Sequence, residues 1–382
     1  MQTDSRKSQS LDQSAPVRVS ELRERFVALQ EFVVSARDKL DQRGWDYLQG
    51  GTETETSLGR NRHAIDSLAL RPRVLRDVSV VDVSAQVFGR AARLPLILAP
   101  IGGLETFDPD GALAVARAAG RFGVPMMLSS VSSWSMEQVA EVGREHDLSL
   151  VHQLYVRSDA RGIDEVIERA IALGAPAFCL TVDSAVYSRR ERDIVSRFVK
   201  PWRATGEGDA RAFQAALSWA DIARIRKTYP IPLVLKGVGT AEDAMIAIEH
   251  GVEYVHVSNH GGRQLDQVRG SMGVLPEVVQ AVAGRAKVIV DGGICRGTDI
   301  AKALALGADA VCVGRMMCAA LAAAGSDGIV RMLEILEDEY GIALALLGVR
   351  AGAELDASFV RAGEPVVHLP SVWSAFPLIN AD

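Results

Sequence analysis

The sequence predicts an α/β fold: a (β/α)8 TIM barrel with a helical N-terminal segment before it and a C-terminal tail after it. Eight short apolar runs alternate with stretches in which alanine and leucine recur at helical spacing. Strands that are apolar throughout are typical of parallel sheets buried on both faces. No GxGxxG turn follows the first run, so a doubly wound open sheet is the less favoured alternative.

The eight predicted strands are spaced regularly along the chain. They are LPLILAP (94–100), VPMMLSS (124–130), SLVHQLYV (149–156), AFCLTVD (177–183), IPLVLKG (231–237), YVHVSN (254–259), KVIVDG (287–292) and AVCVGR (310–315). Intervening stretches such as 108–123 and 297–308 are amphipathic, begin at the capping types Asp108 or Thr298, and end in glycine. Eight such repeats predict a closed barrel.

The rest of the chain divides around this barrel. We predict a disordered N-terminal tail (1–17), a mostly helical N-terminal segment of the barrel domain (18–93), the barrel itself (94–350) and a C-terminal tail (351–382). Residues 326–348 have the pattern of the last barrel helix. The longest irregular insertion, 184–216, follows the fourth strand and is predicted to be a lid over the catalytic rim. The tail carries Val366, Val367, Trp373 and Phe376, so we expect it to pack on the barrel or across a subunit interface.

Composition excludes several classes of function. The net charge of −6 and the pI near 5.7 argue against a nucleic-acid partner, which needs concentrated positive charge. The four cysteines lack CxxC spacing and stand in apolar surroundings, as buried thiols of a reducing cytosol do. No apolar run approaches the roughly 18 residues that span a bilayer, and the N-terminus lacks a signal-peptide core. We therefore expect a cytoplasmic protein, peripheral to a membrane if a quinone is its electron acceptor.

Polar residues and glycines gather where the predicted strands end, which is where barrel enzymes place their chemistry. They are Gly102, Ser129, Gln153, Tyr155, Thr181, Asp183, Lys236, Ser258, His260, Arg263, Asp291, Gly293, Gly314 and Arg315, and the apolar Pro100 and Ile101 stand beside Gly102 at the end of the first strand. The seven histidines are scattered, so no metal site is predicted. The glycines after strands seven and eight stand where barrels commonly bind phosphate, although tight turns alone would also explain them.

Several motifs together closely resemble the FMN-dependent L-2-hydroxy acid oxidases and dehydrogenases. These motifs are SNHGGRQLD, LKGV, QLYV, LTVD, VDGGICRGTDIAKALALGADAVCVGR and the upstream YLQGGTETETSLGRNRHAIDSLALRPRVL. The group includes glycolate oxidase, lactate oxidase, lactate monooxygenase and mandelate dehydrogenase, and the resemblance spans roughly residues 30–350. It implies FMN across the barrel mouth, a small 2-hydroxy acid as substrate, a 2-oxo acid as product and a homotetramer. The electrons would pass to oxygen or to a quinone-type acceptor.

The resemblance also implies a role for each matching position. His260 matches the base, and imidazole suits this role because its ordinary pKa, about 6.5, lies near neutral pH. Asp183 matches the carboxylate that stabilises the protonated imidazole. Arg190 and Arg263 match the pair that binds the substrate carboxylate, to which a guanidinium can donate two parallel hydrogen bonds. The remaining substrate-contacting positions are Tyr47, at the carboxylate, and Tyr155, at the hydroxyl or carbonyl.

The flavin positions follow in the same way. Lys236 matches the lysine beside flavin N1, Asp291 matches a ribityl contact, and Gly293, Gly314 and Arg315 match the phosphate site. Ser129, Gln153 and Thr181 match positions along the isoalloxazine edge. Pro100, Ile101, Gly102 and Ser258 complete the predicted cofactor set.

Three departures from the family pattern carry expectations of their own. Cys295 stands where an arginine is usual, so we expect weaker FMN binding, with Arg296 and Arg315 as the remaining phosphate-side cations. Gly102 and Val131, in place of an alanine and a tryptophan of glycolate oxidase, are expected to enlarge the pocket, which Tyr187 partly refills. We therefore expect a substrate bulkier than glycolate, aromatic or branched.

Two other functions remain as alternatives at this stage. One is an FMN barrel isomerase of the type 2 isopentenyl diphosphate isomerase kind, which would not need His260, Arg263 and Arg190 together. The other is a flavin-binding protein without turnover, which would not need a complete set of catalytic positions.

Overall fold

The computed structural model describes residues 19–199, 211–363, 372–376 and 379. Before the barrel, the chain forms four helices and three short strands. They are α1 (Val19–Arg25), α2 (Leu29–Lys39), α3 (Gln42–Gln49), α4 (Thr56–Asp66), β1 (Leu68–Leu70), β2 (Ala85–Val87) and β3 (Arg90–Ala92). The prediction of a mostly helical segment is therefore wrong beyond Asp66. The reason is that β2 and β3 form an antiparallel hairpin around Phe88 and Gly89, both at positive φ.

Eight parallel strands then close into a barrel, which confirms the predicted fold class. They are β4 (Leu96–Leu98), β5 (Met126–Ser129), β6 (Leu150–Leu154), β7 (Phe178–Thr181), β8 (Leu233–Val238), β9 (Tyr254–Val257), β10 (Lys287–Val290) and β11 (Ala310–Val313). Neighbouring strands pair in chain order, and β11 pairs with β4 to close the barrel, which excludes the open sheet.

Helices surround the barrel between and after its strands. They are α5 (Ala112–Phe122), α6 (Met136–Arg144), α7 (Ala160–Ala172), α8 (Glu191–Val195), α9 (Arg211–Ala216), α10 (Trp219–Thr228), α11 (Ala241–Glu249), α12 (Ser271–Val282), α13 (Gly297–Ala305) and α14 (Arg315–Leu347). Two short helices, α8 and α9, thus lie in the segment predicted to be irregular. Residues 200–210 of the predicted lid and the predicted N-terminal tail at 1–17 lie outside the described residues.

Three predicted helix starts are wrong. Helix α5 begins after Gly111, because the Asp108 carboxylate accepts the Asp110 N–H in a turn before the helix. Helix α13 begins after Arg296, since Asp299 accepts the N–H groups of Cys295 and Arg296 and places Thr298 inside the helix.

The third is the last helix, α14, which begins at Arg315 and not at residue 326. Its first part is buried nearly all round, so it lacks the one-sided apolar period that would reveal a helix in the sequence. A kink at Ala324 and Gly325 interrupts it. By length and composition α14 could cross a membrane, but 67% of its most apolar window is buried inside the protein, as in a core helix.

The barrel interior changes character along its axis, because inward-facing residues recur at every second strand position. At the N-terminal end they are apolar, and the β2–β3 hairpin packs Val87 and Phe88 against them. On β4 the next inward residue, Ala99, is still apolar, but toward the C-terminal ends of β5 to β10 the inward residues become polar. These later residues are Ser129, Gln153, Thr181, Lys236, Ser258 and Asp291. The alternation therefore collects polar groups at the C-terminal end.

The chain after the barrel packs back onto the earlier elements. Strand β12 (Val360–Ala362) pairs antiparallel with β1, and 3₁₀ turns at Gly352–Glu354 and Ala357–Phe359 precede it. Of the four tail residues singled out in the sequence, Trp373 and Phe376 are buried, and Trp373 stacks on Trp45 with ring centroids 6.1 Å apart. Val366 and Val367 lie outside the described residues.

Candidate active site

A cavity of about 540 Å³ lies at the C-terminal ends of the barrel strands. Its volume is within the range of small-molecule and cofactor sites. Of the residues predicted for the site, those that line it are Tyr47, Pro100, Ile101, Gly102, Tyr155, Arg190, Lys236, His260, Arg263, Asp291, Gly293, Gly314 and Arg315. The others lie behind this lining and contact it directly or through one another. They are Ser129, Gln153, Thr181, Asp183 and Ser258.

The loop after β9 holds His260 in a conformation that its neighbours support. His260 has φ of +58°, and Gly261 and Gly262 follow at +64° and +74°. Such angles are uncommon for residues with a Cβ. A Cβ at Gly262 would lie 2.6 Å from the backbone of Leu58, so only glycine lets this loop approach α4 so closely. The sequence HGG therefore turns the chain sharply and leaves the imidazole facing the cavity.

His260 stands between a carboxylate and a phenol. Its Nδ1 lies 3.0 Å from Asp183 Oδ1, and its Nε2 lies 3.0 Å from the Tyr155 hydroxyl. Burial, opposed by Asp183, lowers the pKa of His260, while His260, Lys236 and Ser184 outweigh burial and lower the pKa of Asp183. The pair is thus a neutral imidazole beside an ionised carboxylate. Since the carboxylate can only accept, we assign the proton to Nδ1, and Nε2 keeps a lone pair directed at Tyr155.

Three arginines meet at the side of the cavity formed by α3. Arg263 donates through Nη1 to the carbonyls of Tyr47 and Gly50, at 2.9 and 2.7 Å, and Arg315 donates through Nη2 to the same Gly50 carbonyl at 2.8 Å. Arg190 Nε donates to the Arg263 carbonyl at 3.3 Å. Within the described part of the chain, none of the three forms an ion pair with a carboxylate.

In the described chain this cationic cluster is held by backbone carbonyls and not by ion pairs with carboxylates. Burial and the nearby Arg263 lower the pKa of Arg190 to about 10 and the pKa of Arg315 to about 9. Buried cations that lack a counter-charge are costly even when carbonyls accept their hydrogen bonds, and an anion relieves that cost. The cluster is therefore suited to binding anionic groups.

Beneath the cavity, Lys236 and Asp291 form a buried ionic network. Lys236 Nζ lies 3.1 Å from Ser258 Oγ and 3.5 Å from Asp291 Oδ2, and His256 Nε2 lies 3.2 Å from the same Asp291 oxygen. Burial alone would lower the pKa of Lys236, but Asp291 and Asp183 raise it, and Lys236 in turn lowers the pKa of Asp291. Both groups are charged, so a fixed cation and a fixed anion face the cavity.

The charged and polar groups that face the cavity fit a flavin mononucleotide. Two buried oxygens, Gln153 Oε1 and Asp291 Oδ1, have no hydrogen-bond partner among the described residues, and the polar edge of a ligand would supply one. At the opposite side, the cavity is lined by two glycines, Gly293 and Gly314, and by the cation Arg315, all of which follow the last two barrel strands. Barrels of this fold commonly bind phosphate at that position. The remaining arginines, Arg190 and Arg263, leave a second anion site for a substrate.

The expectation that Arg296 supplies a cation to the end of the cavity matched to the phosphate is wrong. Its Nη1 pairs with Glu339 at 2.7 Å, and its guanidinium lies 5.3 Å from the Phe376 ring centroid. Arg296 does not line the cavity, whereas Cys295 does. Burial raises the pKa of the Cys295 thiol to about 12, so this residue is neutral. Among the described side chains, Arg315 is the cation that lines this end of the cavity.

The expectation that Gly102 opens space is also wrong. A Cβ at Gly102 would lie 2.4 Å from Val131 Cγ2, so the valine side chain already occupies that volume. Tyr187 lines the cavity and remains 45% exposed, in the loop before α8. The cavity lining therefore includes the valine side chain beside Gly102 and a partly exposed aromatic ring.

The structure adds lining residues that sequence reasoning missed. Gln214 of α9 is buried, accepts the Val156 N–H at 2.6 Å and donates to the Thr181 carbonyl at 3.0 Å. It thereby ties the lid segment to the ends of β6 and β7. Val372 of the tail also lines the cavity. Neither residue had a sequence signal, because each reaches the site across a long separation along the chain.

The chain is similar to known proteins over most of its length. Residues 36–362 match the family model described as FMN-dependent dehydrogenase. The chain is 40% identical to L-lactate oxidase of Nostoc sp., covering 88% of this chain and 98% of that protein. It is 38% identical to glycolate oxidase of Spinacia oleracea, covering 87% and 95%. A crystal structure of mandelate oxidase with 3,3-difluoro-2-hydroxy-3-phenylpropionic acid superposes with a TM-score of 0.82 at 40% identity, covering 89% of this chain and 100% of that one.

Proposed function

The chain belongs to the FMN-dependent dehydrogenase family and is an FMN-dependent oxidoreductase acting on the CH–OH group of 2-hydroxy acids; on that premise we propose how its residues divide the reaction. His260 is the base, Arg190 and Arg263 bind the substrate carboxylate, and oxygen is the electron acceptor. The observation that carries this proposal is the hydrogen-bonded series Asp183–His260–Tyr155, which faces two arginines without carboxylate partners in the described chain.

His260 begins the reaction with an unprotonated Nε2, whose lone pair faces the Tyr155 hydroxyl. The substrate hydroxyl or α-carbon presents its proton there, in place of the hydrogen bond from Tyr155. As His260 takes the proton, Asp183 gains a cationic partner at 3.0 Å and stabilises the imidazolium that forms. FMN, when bound, supplies the acceptor for the electron pair that leaves the substrate. The proton thus goes to His260, whereas the electron pair goes to FMN.

The carboxylate of the substrate is held by the cationic side of the cavity. Arg263 lies with its guanidinium 4.9 Å from the Tyr47 ring centroid, so its position is set by stacking and by two backbone carbonyls. The Tyr47 hydroxyl donates to the Gly102 carbonyl at 2.7 Å and can turn toward an incoming carboxylate. Such a clamp orients the α-carbon between His260 and the cofactor.

The cofactor would be held by the polar end of the barrel interior. Lys236 and Asp291 would supply fixed charges to the ring and the ribityl chain, and Ser258 connects the two residues by hydrogen bonds. Gly293, Gly314 and Arg315 would hold the phosphate. The other positions assigned to the cofactor are Pro100, Ile101, Gly102, Ser129, Gln153 and Thr181.

Oxygen is proposed as the acceptor because the relatives reported above are named oxidases. A substrate bulkier than glycolate is proposed because a valine, Val131, lines the cavity at its position, and because Tyr187, which also lines it, is partly exposed. A homotetramer in the cytoplasm completes the proposal.

Anaerobic reduction of the purified holoenzyme tests the function. Glycolate, lactate, mandelate and a longer 2-hydroxy acid are added in turn, and the visible flavin absorbance is followed; oxygen is then admitted and reoxidation is timed. We expect bleaching by the bulkier acids and rapid reoxidation. The matched control is mandelamide, which lacks the carboxylate charge and should reduce the flavin far more slowly. If no acid bleached the flavin absorbance, the proposed roles would be overturned. A clear preference for glycolate would overturn the proposal that the substrate is bulkier than glycolate.

A further inference from the structure

The C-terminal segment Val372–Phe376 reaches the active-site cavity from outside the barrel. Val372 lines the cavity and is 8% exposed, and Trp373 and Phe376 are buried beside it. Their burial places a segment far from the barrel strands in sequence against the same space as Cys295 and Arg315. We propose that this segment is part of the FMN site, closes its phosphate end and slows release of the cofactor.

The neighbours of the segment locate it at that end. Trp373 stacks on Trp45 of α3, Ser374 Oγ donates to Asp66 Oδ2 of α4 at 3.4 Å, and Phe376 lies under the Arg296 guanidinium at 5.3 Å. Arg296 follows Cys295 directly in the loop after β10, which also contains Gly293. The segment therefore bridges α3, α4 and the loop assigned to the phosphate.

The residues that line the phosphate end of the FMN site explain why an apolar cover would help to retain FMN. Cys295 presents a neutral thiol to the cavity, and Arg296 is held away from it by Glu339. In the described chain, Arg315 is thus the cation lining this end, and it is shared with the Gly50 carbonyl. An apolar cover reduces water access there, which strengthens the attraction between Arg315 and a phosphate. Retention of FMN then depends on the exclusion of water by the segment as well as on the charge of Arg315.

The same contacts predict a kinetic effect. FMN can leave past Val372 only if the segment moves, and movement separates the Trp373–Trp45 stack and exposes Phe376, which is 0% exposed. Movement of the segment is therefore opposed by the free energy needed to expose this buried aromatic surface to water. Weakening the stack should therefore accelerate release of FMN more than it changes turnover by enzyme that still holds FMN.

The first test measures FMN release from Trp373→Ala holoenzyme after dilution, by the rise in fluorescence of free flavin. We expect release to be at least about tenfold faster, equivalent to about 1.4 kcal/mol. The matched control is Phe359→Ala, a buried aromatic residue of the same C-terminal region that does not line the cavity. It should lower the thermal stability without changing FMN release. Equal release rates in wild type and Trp373→Ala, with lower stability in both variants, would overturn the proposal.

A second test asks whether the segment compensates for the missing charge at position 295. Cys295→Arg is compared in the full chain and in a chain ending at residue 371, again by FMN release and by titration of apoprotein with FMN. We expect Cys295→Arg to restore retention in the shortened chain and to have little effect in the full chain. Equal effects in both backgrounds would show that cover and charge act independently, and would overturn the compensation. If the shortened chain does not fold, Trp373→Ala serves as the second background.

Discussion

The two ends of the barrel are built from the same strands but perform different tasks. On β7, β8 and β10, the inward residues at the N-terminal end are Cys179, Val234 and Ile289. Two positions further along they are Thr181, Lys236 and Asp291. The first layer is sealed by the β2–β3 hairpin, whose Phe88 lies 5.0 Å from the Tyr254 ring centroid. The second layer opens into the cavity.

The difference teaches how one scaffold separates stability from chemistry. Apolar groups at the N-terminal end gain free energy from burial. At the C-terminal end, buried charges, unpartnered oxygens and the left-handed backbone of His260 all cost stability. Those costs are tolerable because the rest of the barrel holds the groups in place. Substitutions at the two ends should therefore affect different measured quantities.

The largest effect is expected from His260→Asn. Removal of the base should slow flavin reduction by a factor on the order of 10² to 10⁴ or more. FMN content and the midpoint of thermal unfolding should stay close to wild type. Asparagine is polar like histidine, and it tolerates the positive φ that the backbone has at this position. Anaerobic stopped-flow reduction and thermal unfolding check the two halves of this prediction. Reduction within about tenfold of wild type would contradict the role of His260.

The opposite end provides the next prediction. Phe88→Ala should lower the free energy of unfolding by about 3–5 kcal/mol, because it removes a buried ring that seals the barrel. Turnover per bound FMN should be nearly unchanged. Denaturant unfolding and flavin-normalised rates measure the two quantities. A large fall in rate with unchanged stability would show that the ends are not separated as we describe.

The pH dependence of kcat/KM sharpens the comparison further. The pKa of His260 lies below its ordinary value, so the neutral base is present at pH 7 and is lost as the pH falls through the lowered pKa. We expect kcat/KM to fall by about tenfold per pH unit on this acid limb. In Asp183→Asn the limb should move to lower pH, because Asp183 raises the pKa of His260. Phe88→Ala should leave the limb in place, whereas movement toward higher pH in Asp183→Asn would contradict the assigned pairing.

The smallest effect concerns a contact at the rim of the cavity. Gly102→Ala would place a methyl group 2.4 Å from Val131 Cγ2, so one of the two must move. We expect a modest rise in KM for bulky acids, which Val131→Ala should relieve in the double variant. The coupling between such neighbours is about 0.5–3 kcal/mol. Additive effects of the two substitutions on KM would show that the side chains do not compete for this space.

Prediction from sequence succeeded where the signal was local. The strands were found because each is apolar throughout, and the loop from His260 to Arg263 is only a few residues long. It failed at α14, whose first part has no polar face, and at the β2–β3 hairpin, whose strands are too short for a clear alternation. It also failed for Arg296 and Gly102, since the positions of Glu339 and Val131 depend on packing between separate elements.

By itself, the sequence determined the barrel, its family and the chemical types of residue at the strand ends, because apolar runs and short motifs act over a few residues. Only the tertiary structure decided which groups meet: Asp183 with His260, Arg190 with Arg263, and the tail with the loop after β10. Barrel closure and side-chain packing join residues that are far apart in the chain, and no local pattern records those distances.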